Sequence, residues 1–418
     1  MINLLNHNLL RKWWLIIAFC FWGISCSGCN QETVSSQGVS TTGIYPTSTF
    51  LPTVMKPVDV PSQIMTINLP LKPTDILINA QTGVIYILVG GTHVAIFNEA
   101  GQYDLIPLGG TKADKMALDD FNNIIYVAHD YQGQESITII QGDKILSRLN
   151  IPLNQIKGLT VHPETHELYI IGITDTGENK PHAEMIVTNE FEILKVIDLG
   201  EKIPERIAID PIFKHVYIGG LRLSDNHDSS FTTIGTLTIV SKTGEVQQLE
   251  LGQAIVDIGI DQNTGNTYVL QIPSYENEIR QDDLTLIRDN DIIASIQVAD
   301  GNITAKQLRI HPTTSEVYII NPASEQVSIV RNTNDQLEVV GNIHVGSGAE
   351  KLAIDPITQN VYIANFNDDT VSVLNGNQAI STLEVGWYPY GIAVDSRNGW
   401  VYVSNTNERT VSVLGYDD

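Results

Sequence analysis

The chain has 418 residues, 42% of them hydrophobic and 17% charged, with 24 Lys and Arg against 48 Asp and Glu for a formal charge of −24. Length and apolar content support a large core, because closed all-β folds use several hundred residues as one unit. The acidic balance excludes the basic footprint of a nucleic-acid partner and attachment to anionic lipid by charge; it suits an exported protein held in solution.

Arg11 and Lys12 precede an apolar stretch from Trp13 to Ile24, and Ser25, Ser27 and Gly28 follow. A charged start, a short apolar run and small residues describe a secretory signal, and the run is too short to span a membrane comfortably. Ser27-Gly28-Cys29 resembles a bacterial lipobox, in which the cysteine becomes the acylated first residue. Cys26 stands where that pattern usually has Leu, and is the alternative acylation site. Residues 1–28 are therefore expected to be a lipoprotein signal peptide, with Cys29 lipidated. The expected location is the bacterial cell envelope, with the protein held to the outer face of a membrane through its lipid only. A plain signal peptide and an uncleaved anchor are the other readings. Residues 29–60 are rich in Ser, Thr and Pro and read as an extended tether. Cys20, Cys26 and Cys29 are the only cysteines, so the body from 61 to 418 has no disulfide, thiolate nucleophile or cysteine-ligated zinc.

From Gln63 onward one frame recurs around Tyr86, Tyr126, Tyr169, Tyr217, Tyr268, Tyr318, Tyr362 and Tyr402, at spacings of 40 to 51 residues. Each unit opens with a short apolar strand, such as Leu352–Ile354. A turn of the form Asp-Pro-x-Thr follows, then a β-branched strand carrying the tyrosine and two further strands. Period-2 alternation predicts strands throughout, and this repeat length suits a four-stranded blade. The expected fold is all-β: a single closed β-propeller of eight four-stranded blades, with seven as the alternative. The last unit lacks a fourth strand, and Gln63–Leu69 resembles the outer strand 378–385. The N-terminal strand is thus expected to complete the last blade and close the ring.

The units resemble the YVTN-type β-propeller repeat, on VYIAN at 361–365 and VYVSN at 401–405. The resemblance implies an extracytoplasmic propeller and assigns no activity.

The turn position reads Asn79, Asp119, His162, Asp210, Asp261, His311, Asp355 and Asp395, and suits side chains that bond backbone amides two residues on. His162 and His166 have metal-pair spacing, but they fall in this turn, which argues against zinc. Four residues earlier lies a polar series at the channel rim: Asp75, Lys115, Arg206, Asp257, Gln307 and Lys351. Arg309, at a position that is mostly small in the other units, is expected to reach the channel or a neighbouring acid. These seven residues are the candidate ligand rim. Loops between second and third strands open on the same face; they are short in units six to eight and long at 172–184, 220–235 and 271–283. His93, His129, His182 and His227 come from four successive units on that face. Asp225-Asn226-His227-Asp228 lacks the DxDxDG calcium frame.

These features point to a binding module that takes a surface protein, glycan or small molecule through the long loops and the rim, and is monomeric. A propeller enzyme of lactonase, lyase or hydrolase type with its site at the channel mouth is the alternative, and a structural envelope component the third reading. No catalytic residues or cofactor are predicted; a divalent cation on the histidine face is left open.

Overall fold

The computed structural model describes residues 60–97, 102–174, 180–225, 231–272, 275–276, 279–280, 284–298 and 305–416. Cys29 and the stretches read from sequence as a signal peptide and a tether, up to residue 59, lie outside them. The described residues form eight four-stranded antiparallel sheets and one two-stranded ladder. Blade seven shows the plan: inner strand Ala349–Ile354, then Asn360–Asn365, Thr370–Asn375 and outer strand Gln378–Glu384. β-Branched residues fill these strands because their stiff side chains pack well on a pleated surface.

Inner strands of successive blades touch around the ring, and Pro73–Ile78 of blade one meets both Thr111–Asp119 of blade two and Pro389–Asp395 of blade eight. The blades number eight, not seven. The last is completed by Ser62–Asn68, which pairs antiparallel with Thr410–Gly415. This strand removes the free edge an open array would leave.

The core consists of eight apolar clusters. Each lies between two adjacent blades and takes in the repeat tyrosine of the first. Tyr362 packs with Val401, Val403 and Leu414 of blade eight. Tyr402 in turn packs with Ile85, Ile87 and Phe97 of blade one. Six of the eight tyrosines are fully buried. Each pairs across its sheet with the inner-strand residue two before the turn, as in Tyr362↔Ala353, Tyr402↔Ala393 and Tyr268↔Gly259. Most of these partners are small and leave room beside the ring; Leu77 and Arg309 are the large ones. Hydroxyl groups reach onward as well: Tyr86 donates to Asn123 Oδ1 of blade two at 2.9 Å. Burial pushes the Tyr86, Tyr217 and Tyr318 hydroxyls up to about 12.

Turn residues behave as their chemistry dictates. Asn79 Oδ1 accepts from the N–H groups of Gln81 and Thr82, both at 2.9 Å. Asp210 and Asp355 accept likewise from Ile212 and Ile357. His162 and His311 do the same through Nδ1, at 3.1 to 3.2 Å. Four residues on, every turn enters the left-handed region, at Gly83, Asn123, His166, Lys214, Gly265, Ser315, Gln359 and Gly399. His166 is one of these, and its ring bonds Asp119 of blade two at 3.0 Å. The two histidines with metal-pair spacing are therefore committed to separate structural bonds.

Because His162 and His311 act as acceptors, their rings must stay neutral. Burial holds both below the ordinary histidine value of 6.5. The stability they contribute is present above that value and is lost as pH falls through the lower folded-state value. A His162→Asp, His311→Asp double variant should melt like the parent at pH 8, and lose less stability than the parent between about pH 6.5 and pH 5. Thermal melts across this range check the difference.

Candidate functional site

The face carrying the starts of the inner strands is where the rim residues lie. In seven blades the inner strand shifts register as it reaches the rim position, for example between Pro73 and Asp75, Ile255 and Asp257, and Ala349 and Lys351. The bulge lengthens the inner strand beyond the short apolar core read from sequence. It also re-aims the side chain at the mouth.

Rim charges are brought together in pairs. Lys351 Nζ of blade seven donates to Asp75 Oδ1 of blade one at 2.6 Å. Blade eight lies between them and contributes Gly391. A Cβ there would approach Ser404 Oγ to 2.9 Å and the Thr74 carbonyl to 3.3 Å. A side chain there would crowd the start of the blade-one inner strand beside Asp75. The Lys351 ammonium also stands 5.0 Å from the centre of the Tyr390 ring. Asp257 takes Arg309 at 3.2 Å and Arg206 at 3.9 Å, and also accepts from the Leu308 N–H. Arg309 thus pairs with the acid of the preceding blade. Gln307 accepts from the Leu352 N–H at 2.9 Å, and Lys115 pairs with Asp114. Lys157 pairs with Glu205, and Lys306 with Glu350. Each pair is partly exposed and adds little stability. Their joint effect is a mouth in which opposite charges stand side by side.

The described histidines are not brought together. His93 bonds Thr92 Oγ1 at 2.8 Å, and His182 bonds Asp198 at 2.8 Å. His129 is buried, bonds Thr138 Oγ1 at 2.6 Å, and is held by burial below the usual histidine value. His227 lies outside the described residues. Among the described residues no group of three or more His, Cys, Asp or Glu is placed to hold a metal ion.

His129 has a structural parallel. Ten residues after the turn position, blades six, seven and eight carry Asn321, Asn365 and Asn405. Their Nδ2 groups donate to Ser328, Ser372 and Ser412, tying the second strand to the third. Blade two uses His129 for this. Blade four has Gly220 there, and Lys202 from the preceding crossover bonds Thr238 and Gln248 instead. Lys202 is buried, and that burial lowers its ammonium to about 8.

Long connections in blades three to five are partly strand. In blade four, Val216–Asp225 and Phe231–Val240 form one hairpin that outruns its neighbours, since the inner strand stops opposite Leu221 and the outer strand opposite Thr236. The stretch read as a loop at 220–235 is largely a projecting two-stranded ribbon. In blade five, Tyr275–Glu276 and Ile279–Arg280 make a ladder of their own. Two features carried no motif in the sequence: Lys202, and an aromatic crossover with Trp387, Tyr388 and Tyr390 exposed. The crossover could have been found by setting VGSGAEK (345–351) against VGWYPYG (385–391).

No family model matches the chain, and no curated protein matches it. Solved structures do. The β-propeller domain of Cps50 (Swd1) from Myceliophteria thermophila is similar at a TM-score of 0.54 and 11% identity, covering 86% of this chain and 100% of that one. The WD40 β-propeller domain of Doa1 gives 0.52 and 8%, covering 86% and 98%. At these identities the likeness establishes the propeller fold.

Lys202 supplies a pH test of the crossover network. Its folded-state value lies below the ordinary 10.5, so the unfolded chain binds more protons between the two and stability rises with pH across about 8 to 10.5. Lys202→Met should abolish that part of the rise, read as melting temperature against pH in this window.

Proposed function

We propose that this protein is an extracytoplasmic, lipid-anchored binding module of YVTN-repeat type, which takes a surface protein, glycan or small molecule through the rim face. The projecting ribbon of blade four carries the reading. It extends four residues past Leu221, roughly 13 Å at strand rise, and flanking blades three and five also have enlarged connections on that face. Excursions from a rigid scaffold are where recognition is usually built. The asparagines closing 361–365 and 401–405, each bonded to a serine of the third strand, support the repeat type.

A photo-crosslinking residue in place of Leu223 on the ribbon should give discrete adducts on intact cells. The same residue in place of Phe121, exposed on the opposite face, should not. Replacing Arg222–Ile234 by a two-residue turn should remove the adducts formed at a rim-face probe and leave the melting temperature of the ring within a few degrees. Equal labelling from both faces would contradict the reading. Loss of function on a single substitution at Asp75, Asp257 or His129, with the fold intact, would favour an enzyme instead.

A further inference from the structure

The crossovers into blades seven and eight have the same backbone. In blade seven, Asn367 N–H donates to the Ser347 carbonyl and Phe366 N–H to the Gly348 carbonyl. In blade eight, Asn407 N–H donates to Trp387 and Thr406 N–H to Tyr388. The left-handed position of this motif is Gly348 at φ +71° in blade seven and Tyr388 at φ 57° in blade eight. A bulky side chain is strained there, and glycine is not. Blade eight therefore keeps a tyrosine where its nearest repeat shows that glycine serves the fold. The exchange extends to Trp387 for Ser347 and, two residues on, to Tyr390 for Glu350.

The three rings are presented rather than buried: Trp387 is 57% exposed, Tyr388 43% and Tyr390 37%. Two of them, Tyr388 and Tyr390, are also held in place. Tyr388 N–H donates to Asp369 Oδ1 at 2.9 Å, and its ring stacks on Phe366 at 4.7 Å and 13°. Tyr390 lies under the Lys351 ammonium, which Asp75 neutralises. Polar groups of the two crossovers comprise amides (Asn367, and Asn407, which accepts from Lys72 at 3.5 Å), charges paired or bonded to backbone (Lys351, Asp75, Asp369), and the Glu408 carboxylate beside Gly386.

We infer that Trp387, Tyr388 and Tyr390 form a binding platform for a neutral saccharide. The C–H face of a pyranose carries partial positive charge and fits the negative face of an aromatic ring. Its hydroxyls both donate and accept, as the paired charges and amides around the platform require. An acyl chain would leave those groups desolvated without partners. An anionic ligand would meet a chain of net charge −24. In the ring of eight, blade eight stands across the mouth from blade four, so this site is separate from the ribbon and does not rest on it.

Only Trp387 and Trp400 lie in the ring, which the compact unit Asp59–Asp418 closes with its own strands. Expressed from residue 59 with Trp400→Phe, the ring emits from Trp387 alone. Titration with cellohexaose, xylohexaose, maltohexaose and chitohexaose should shift or quench that emission with at least one of them. Calorimetry with that sugar should show affinity falling at least about tenfold in Trp387→Ala. Tyr388→Gly should bind more weakly yet melt at a higher temperature than the parent, which a purely structural tyrosine would not do. No response to any of the four sugars overturns the inference, as does binding that survives both substitutions. A response to decaproline alone also overturns it, and assigns the platform to a peptide.

Discussion

A four-stranded blade is apolar on both faces and cannot bury either alone, so the structure depends on what passes between blades. That contact centres on the tyrosine of the second strand. It pairs across its own sheet with an inner-strand residue, small in most blades, and packs into the cluster shared with the next, as Tyr362 does against Val401 and Val403. Burying one aromatic ring contributes on the order of 2 to 3 kcal/mol, and the interface repeats eight times. Tyr402 packs on Ile85 and Ile87, so the series has no terminal member. The strand Ser62–Asn68 supplies the matching closure in hydrogen bonds.

This arrangement divides the demands on the two faces. The face of the turns is uniform, because every turn needs a buried acceptor and a left-handed residue four positions later. Histidine meets the first requirement at positions 162 and 311 through a neutral Nδ1, and so ties part of the fold to pH. The other face is free to vary. There the bulged inner strands set charges at the mouth, and the connections differ between blades. It is also where, among the described residues, the ring carries its one tyrosine in the left-handed region, Tyr388, among exposed aromatic side chains.

The repeat was legible because tyrosine, turn residue and spacing are each imposed by backbone geometry that every blade shares. The same logic made the closing strand readable, since a blade short of one strand must find it elsewhere. What stayed hidden depends on contacts between units. Lys351 and Asp75 lie 276 residues apart, and only the ring brings them together across Gly391. His129 reads as one of a set of functional histidines. It instead does the work of Asn365 and Asn405, a role visible only once Thr138 is seen opposite it. The ribbon of blade four looks like loop because its polar tip masks the alternation in Arg222–Asp225 and Thr232–Ile234. The strain at Tyr388 is a backbone angle, which no residue pattern displays.

Eight equivalent interfaces make the ring one cooperative body without ends. Native-state hydrogen exchange tests it most directly. Open repeat arrays fray from their terminal units. A closed ring should instead give the second-strand amides of blade one (Ile85–Val89) and blade eight (Trp400–Asn405) the same protection as those of blade four or five. Faster exchange of blades one and eight, graded toward the middle of the chain, would contradict the account.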